Sequence, residues 1–382
     1  MKIGILTLPL HGNYGGNLQA YALMKVLRGL GHEPCLIVRR AKPFPAKRIP
    51  LELVKRIVKK LVLRRAGTSI GEGIFHSRLR KLTEKNAREF IDGHIQPQTR
   101  EFSSFKDISR NISTYSFGAL IVGSDQIWRP KYTPSIEESF FSFLASSEST
   151  KRIAYAPSFG TDEWEYTQEE TKRCAGLLQR FDSISVREIS GVRLCKDKLG
   201  RESTHVLDPT MLLDVNDYLD LSQNVPTSPA SKKNLLVYVL DLTDEKRAVM
   251  DHLARNLELN PIHANRLDAN GSSIPVEEWV AGFRDSAFVL TDSFHACVFS
   301  ILFNKPFIAY GNARRGLARF ESLLSIFGLK SRLISEPSQA TPELINSTIN
   351  WQEVNCKVAE RRAASMHFLS DSLRDTRVEN ND

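Results

Sequence analysis

A strand–turn–helix alternation runs twice along this chain, interrupted by one polar, proline-punctuated stretch, and that repetition leaves few folds open. Residues 3–8 read as a strand and 11–17 as a turn; Leu18, Ala22, Val26, Leu27 and Leu30 then recur at helical spacing until Gly31 ends the helix. Residues 34–38 form the next strand. Such a unit implies parallel pairing through a right-handed crossover. Strand-like runs follow at 119–122, 153–156, 183–186 and 204–207, with a long helical insertion expected over about 50–110. After the linker a second alternation places strands at 235–240, 261–264, 287–291 and 306–310, and helices at 244–257, 276–283, 293–303 and 316–327.

The expected class is therefore α/β, with two Rossmann-like domains. The first spans 1–220, the linker 221–234 and the second 235–350, while a helical tail over 351–382 crosses back to the first. A length of 382 residues suits two domains. Two such domains normally place their active site in the cleft between them.

Charge narrows the function classes. The net +8 is not spread evenly: residues 39–65 hold eleven Lys or Arg against Glu52 alone, and the remaining chain is slightly acidic. A protein that wraps nucleic acid needs basic residues on several elements, so no nucleic-acid partner is expected. Residues 51–65 have an amphipathic helical pattern, apolar at Leu51, Val54, Ile57, Val58 and Leu61 and basic opposite. Two readings stand for it: an insertion helix packed on its own domain, or an interfacial helix docking on anionic inner-leaflet lipid.

Five cysteines stand alone, with no C-x-x-C, which suggests neither zinc site nor disulfide framework, and no His/Asp/Cys cluster has ligand spacing; no metal is expected. The apolar run 3–10 lacks a convincing cleavage site after it and reads as a buried strand of a cytoplasmic protein.

Four constellations can carry chemistry. Asn13, Gly15 and Gly16 lie in a turn that opens a helix, where free N–H groups and the dipole attract anions. G-x-G-x-x-G spacing is absent, and Arg39-Arg40 follow the second strand where a ribose-binding acid would stand; such arginines would suit a 2′-phosphate. Gly123-Ser124-Asp125-Gln126-Ile127-Trp128 follows a strand, so Asp125 can cap or act as a base, and Gln126 and Trp128 can hold a sugar by hydrogen bonding and stacking. Arg187 stands at a strand end, suited to carboxylate or phosphate, or else pairs with Glu188 on the surface. Asp208, before Pro209, reads first as structural. Most informative is Thr291-Asp292-Ser293-Phe294-His295, which follows an apolar strand and opens an apolar helix. A helix N-terminus disfavours imidazolium, so a histidine in its first turn can serve as base or donor.

These residues together resemble the polysaccharide pyruvyl transferase family, whose fold is similar to the GT-B glycosyltransferases. The resemblance runs through Asn13 with Gly15-Gly16 and residues 18–23, Gly123-Ser124-Asp125-Gln126 with Trp128, Ser158-Phe159-Gly160, residues 185–188, Asp208-Pro209-Thr210, and Asp292-Ser293-Phe294-His295 leading to Lys305-Pro306-Phe307. It implies transfer of pyruvate from phosphoenolpyruvate onto two hydroxyls of a sugar or lipid-linked oligosaccharide acceptor, giving a cyclic ketal on a cell-surface polysaccharide precursor, with no cofactor. His295 would lie at the phosphoenolpyruvate site, Arg187 would bind its anionic groups, and Asp125 would accept the hydroxyl proton. Many relatives carry an arginine where this chain has Ser293; Lys305, Arg314 or Arg315, after the same helix, are candidates to supply that charge. The alternatives are a glycosyltransferase of the same fold using a nucleotide sugar, and a non-catalytic glycan-assembly protein.

Overall fold

The computed structural model describes residues 1–39, 81–133, 135–145, 149–227, 233–311 and 316–374. The basic segment lies outside them except for Arg39, and so does the interfacial-helix reading.

Two parallel sheets organise the chain. The first contains β1 (Lys2–Leu6), β2 (Glu33–Leu36), β3 (Ala119–Val122), β4 (Lys151–Ala154), β5 (Ser183–Val186) and β6 (Thr204–His205), in the order β2-β1-β3-β4-β5-β6. The second contains β7 (Asn234–Tyr238), β8 (Asn260–His263), β9 (Phe288–Thr291), β10 (Phe307–Tyr310) and β11 (Leu333–Ile334), in the order β11-β10-β9-β7-β8. The central strands β3 (Ala-Leu-Ile-Val) and β9 (Phe-Val-Leu-Thr) are buried at every position. They are apolar throughout rather than alternating because helices cover both faces of a parallel sheet.

The strand order reverses between β1 and β3 in one sheet and between β7 and β9 in the other. Crevices for ligands form beyond the carboxyl ends of strands at such points. Here those ends carry residues 7–8 and 123–125 on one side, and 239–240 and 292–295 on the other.

Helix α1 (Tyr14–Gly29) leaves β1 and buries thirteen of its sixteen residues, because it packs on its own sheet and on the second half of the chain. Tyr14 stacks on Trp279 with ring centroids 5.3 Å apart and donates its hydroxyl to Ile274 O at 2.9 Å. One apolar cluster is continuous from Ile3 and Leu18 to Trp279 and Phe299, so the halves share a core. Burial at about 25 cal/mol per Å² of apolar surface makes that shared core, rather than polar pairs, the main adhesive.

The expected insertion is only partly helical where it is described. Helices α2 (Lys85–His94) and α3 (Phe105–Asn111) flank an extended stretch that runs along β2, with Leu36 N donating to Pro97 O and Thr99 N to Leu36 O. It extends the sheet because β2 would otherwise present an open edge. The first half continues through α4 (Gln168–Leu178), α5 (Ile189–Leu199) and α6 (Val215–Leu221). The second adds α7 (Asp244–Asn256), α8 (Val276–Asp285), α9 (Phe294–Leu302), α10 (Ala318–Ile326), the short α11 (Pro342–Asn346) and α12 (Trp351–Leu373). Helix α12 lies against the first half: Arg362 donates to Met211 O at 2.8 Å, and Leu207 N to Ser365 Oγ at 3.0 Å.

Candidate active site

Two helix N-termini open onto one cavity of about 650 Å³ between the halves. Asn13 begins α1 and Ser293 begins α9, and neither side chain caps its helix. Asn13, Ser293, Phe294 and His295 line the cavity, so the positive dipole ends of both helices lie at it, an arrangement suited to an anion. Helix α9 can start there because Thr291 Oγ1 accepts from Ser293 N at 3.0 Å and holds the turn after β9.

His295, in the first turn of α9, meets the other half of the chain on two sides. A Cβ on Gly15 would stand 2.0 Å from His295 Nδ1, so the ring packs directly on the α1 backbone and only glycine fits. On its other side Nε2 is 3.6 Å from Asp208 Oδ2, beyond hydrogen-bond length, and Nε2 is buried without a hydrogen-bond partner.

Asp208 sits at the centre of a buried polar network. Its carboxylate accepts from Ser124 Oγ (2.9 Å), Arg187 Nη1 (2.8 Å), Thr210 N (3.0 Å) and Thr210 Oγ1 (2.6 Å). Burial alone would push its pKa up, but His295 and Arg187 hold it well below the usual carboxylate range. Sequence alone gives Asp208 a structural reading; folding brings it to His295.

Arg187 is neither on the surface nor on the cavity wall. Its side chain is 1% exposed, clasped by Asp208, by Glu188 at 3.3 Å and by Asp125 at 3.7 Å, and its guanidinium lies 4.3 Å from the Phe294 ring centroid. Only Nη2 has no hydrogen bond. The expected direct anion binder is therefore a buried cation beneath the wall, because three carboxylates reach it first.

Asp125 itself lines the cavity, with φ of 69°, in the left-handed region that few non-glycine residues occupy. That turn decides the next three side chains. Gln126 faces the cavity, whereas Trp128 is fully buried, stacked on Phe140 at 4.7 Å and donating Nε1 to Ser139 O. The expected sugar-stacking role of Trp128 is corrected: the reversal at Asp125 sends the indole into the core.

Of the other expected residues, Ser293 lines the cavity with Asn13. Gly16 lies in the first turn of α1 beside the Asn13 side chain, leaving room for it. Lys305 does not reach the site. It follows the far end of α9, which lies about 10 Å along the helix from His295 at about 1.5 Å per residue, and donates to Arg284 O at 2.9 Å. Arg314 and Arg315 lie outside the described residues. Arg39 donates to Thr7 O and pairs with Glu138, so it is tied down within the first half rather than presented to a nucleotide.

Two cations that the sequence did not flag complete the site. Arg319, from α10, is buried in the cavity wall with its guanidinium 5.9 Å from the Phe294 centroid. Burial and the neighbouring Arg187 charge lower its pKa to about 10, opposed by Glu188 and Asp125. Lys246, from α7, binds Asp292 Oδ2 at 2.6 Å while Asp292 accepts from Leu240 N and Asp241 N, which fixes the loop after β7 against the start of α9. Neither cation has a local sequence signal, since each reaches the site from a helix whose motif context is ordinary.

Two open-sheet Rossmann-like halves with a site built from both define an α/β protein of the GT-B-like class. Solved structures of that fold include a putative UDP-N-acetylglucosamine 2-epimerase from Listeria monocytogenes, at 9% identity over 94% of this chain and 91% of that one, with a TM-score of 0.52. The UDP-GlcNAc 2-epimerase from Neisseria meningitidis bound to UDP-GlcNAc is 10% identical over 98% and 99%, with a TM-score of 0.51. At such identities the likeness is one of fold. No match is found among curated proteins. Residues 13–314 match the polysaccharide pyruvyl transferase profile, and the chain belongs to that family.

Proposed function

We propose that this protein transfers pyruvate from phosphoenolpyruvate onto a pair of sugar hydroxyls of a polysaccharide precursor, forming a cyclic ketal and releasing phosphate. The observation that carries this reading is His295, buried between Asp208 and Gly15 where the two uncapped helix N-termini converge. Family membership supports pyruvyl transfer; the site supports the donor.

The chemistry needs a proton at the methylene carbon, a base for each hydroxyl and fixed positive charge for the donor's carboxylate and phosphate. His295, with the Asp208 carboxylate behind it, is placed to carry and give the proton. As C3 becomes a methyl group, C2 becomes electron-poor and takes the first hydroxyl oxygen, whose proton passes to Asp125. The C2–O bond to phosphate breaks, phosphate leaves, and the second hydroxyl closes the ring as its proton passes to His295, which restores the histidine's charge, while Asp125 returns its proton to solvent. The starts of α1 and α9 and Arg319 hold the anionic groups. Arg187 serves beneath them, keeping Asp208 ionised and pairing with Asp125.

Incubation with phosphoenolpyruvate and a synthetic galactoside or lipid-linked acceptor should release inorganic phosphate and yield a ketal visible by mass spectrometry. Tight binding of a nucleoside diphosphate with no phosphate release on any glycan acceptor would replace this reading with a glycosyltransferase of the same fold.

A further inference from the structure

The cavity has lining residues whose chemistry differs from that of the cationic ones. Tyr132 lines it and is 41% exposed, the one aromatic among the conspicuously exposed large apolar side chains of the described residues. Across the cleft, Leu240 from the second half is also 41% exposed and lines the same cavity. A half-exposed aromatic ring, with Lys131 Nζ 5.6 Å from its centroid, and an apolar side chain on opposite walls are costly to leave in water unless a ligand covers them.

The Tyr132 ring is held in place by a buried cation. Arg129 is clasped by both oxygens of Glu165, at 2.8 and 2.7 Å, and its guanidinium lies 6.0 Å from the Tyr132 ring centroid. The same guanidinium donates to Gln126 Oε1 at 3.3 Å, which turns the amide nitrogen of Gln126 away as an uncommitted donor. Gly160, at φ of 74°, presses on that amide, since a Cβ there would stand 2.2 Å from Gln126 Oε1. One partly buried ion pair thus lies beside an aromatic ring and orients an amide donor next to the Asp125 carboxylate.

We propose that Tyr132, Gln126 and Asp125 form the acceptor subsite, in which a pyranose ring lies against Tyr132, with Leu240 closing from the other half. A pyranose offers an apolar C–H face for the ring and equatorial hydroxyls for the amide and carboxylate. The assignment rests on the pyruvyl-transfer reading only in naming the sugar as an acceptor, with Asp125 taking the proton of the hydroxyl that reacts.

The test separates the two. Methyl pyranosides of galactose, glucose, mannose and their 2-acetamido forms are screened by saturation-transfer NMR against the full-length wild type, Tyr132→Ala and Tyr132→Phe. Phosphate release from phosphoenolpyruvate is measured on the same samples. At least one glycoside should bind wild type and Tyr132→Phe, and Tyr132→Ala should weaken it about tenfold or more, the loss expected for about 1.4 kcal/mol. The KM for acceptor should rise by a similar factor while that for phosphoenolpyruvate holds. Glycoside binding that survives Tyr132→Ala, or no binding to wild type, overturns the subsite whatever the phosphate assay gives. Binding lost in Tyr132→Ala with no phosphate release from wild type keeps the subsite and removes the transfer reading.

Discussion

His295 Nε2 stands 3.6 Å from Asp208 Oδ2, and the two residues come from opposite halves of the chain. The carboxylate has its other acceptor positions filled by Ser124, Arg187 and Thr210, so among the described residues the histidine is the one partner supplied by the second half. Any movement that opens the cleft separates them. The acid–carboxylate pair is thus complete only while the halves are together.

Replacing Asp208 by Asn keeps the shape but removes the charge behind His295. The kcat should fall about a hundredfold, within the usual worth of a positioned acid, with little change in KM for phosphoenolpyruvate. Some loss of stability will accompany it, because Arg187 loses one of three carboxylates. Steady-state kinetics and thermal melts on one preparation separate the two effects, and an unchanged kcat would remove Asp208 from the mechanism.

Gly15→Ala tests the contact between halves. Alanine should favour helix α1 by up to about 1 kcal/mol if nothing opposed it, but its Cβ would stand 2.0 Å from His295 Nδ1. We expect activity to be lost while circular dichroism stays native, and small-angle scattering to show a more open molecule. Full activity would mean that His295 can move aside.

Lys246→Met tests the support beneath α9. Lys246 and Asp292 have side chains 4% and 0% exposed, so removing the cation strands a buried carboxylate. Loss of one partner of a buried pair costs about 3–5 kcal/mol, partly offset here by the two backbone N–H groups on Asp292. Chemical denaturation should show a clear loss, and adding Asp292→Leu should not double it.

His205 makes the fold sensitive to mild acid. Burial, then the adjacent Arg361, lowers its pKa to about 4, against a hydrogen bond to Arg187 O that works the other way. Arg361 Nη2 donates to Nδ1, so Nε2 must carry the proton given to Arg187 O at 3.0 Å. Its ordinary value is near 6.5, so between pH 6.5 and 4 the unfolded chain takes a proton that the folded one refuses. This contribution, up to about 3 kcal/mol, is full above 6.5 and is lost as pH falls toward 4. His205→Gln should flatten the stability profile across that window, and an unchanged slope would count against the assignment.

Local pattern made the parallel architecture and its two Rossmann-like halves legible, and the family resemblance added the GT-B-like arrangement. Strand periodicity and turn residues lie in contiguous sequence, and apolar runs such as 119–122 and 288–291 need helices on both faces. The starts of α1 and α9 were readable for the same reason, since a turn after a strand places its residues at the carboxyl edge. Asn13, Asp125, Gln126, Ser293 and His295 all reach the cavity from such turns.

Tertiary structure alone decided who meets whom. Asp208 looked like a turn residue until the second half delivered His295 to it, and Arg319 and Tyr132 carried no signal until their neighbours defined a cavity. Trp128 shows the converse: it shares a motif with Asp125 and Gln126, yet a left-handed φ at Asp125 turns the indole inward. Sequence by itself determined the sheets, the helix starts and the kind of chemistry available. Which cation is buried, which aromatic is exposed and which carboxylate backs the histidine depend on what distant segments cover, and burial is a property of the assembled fold.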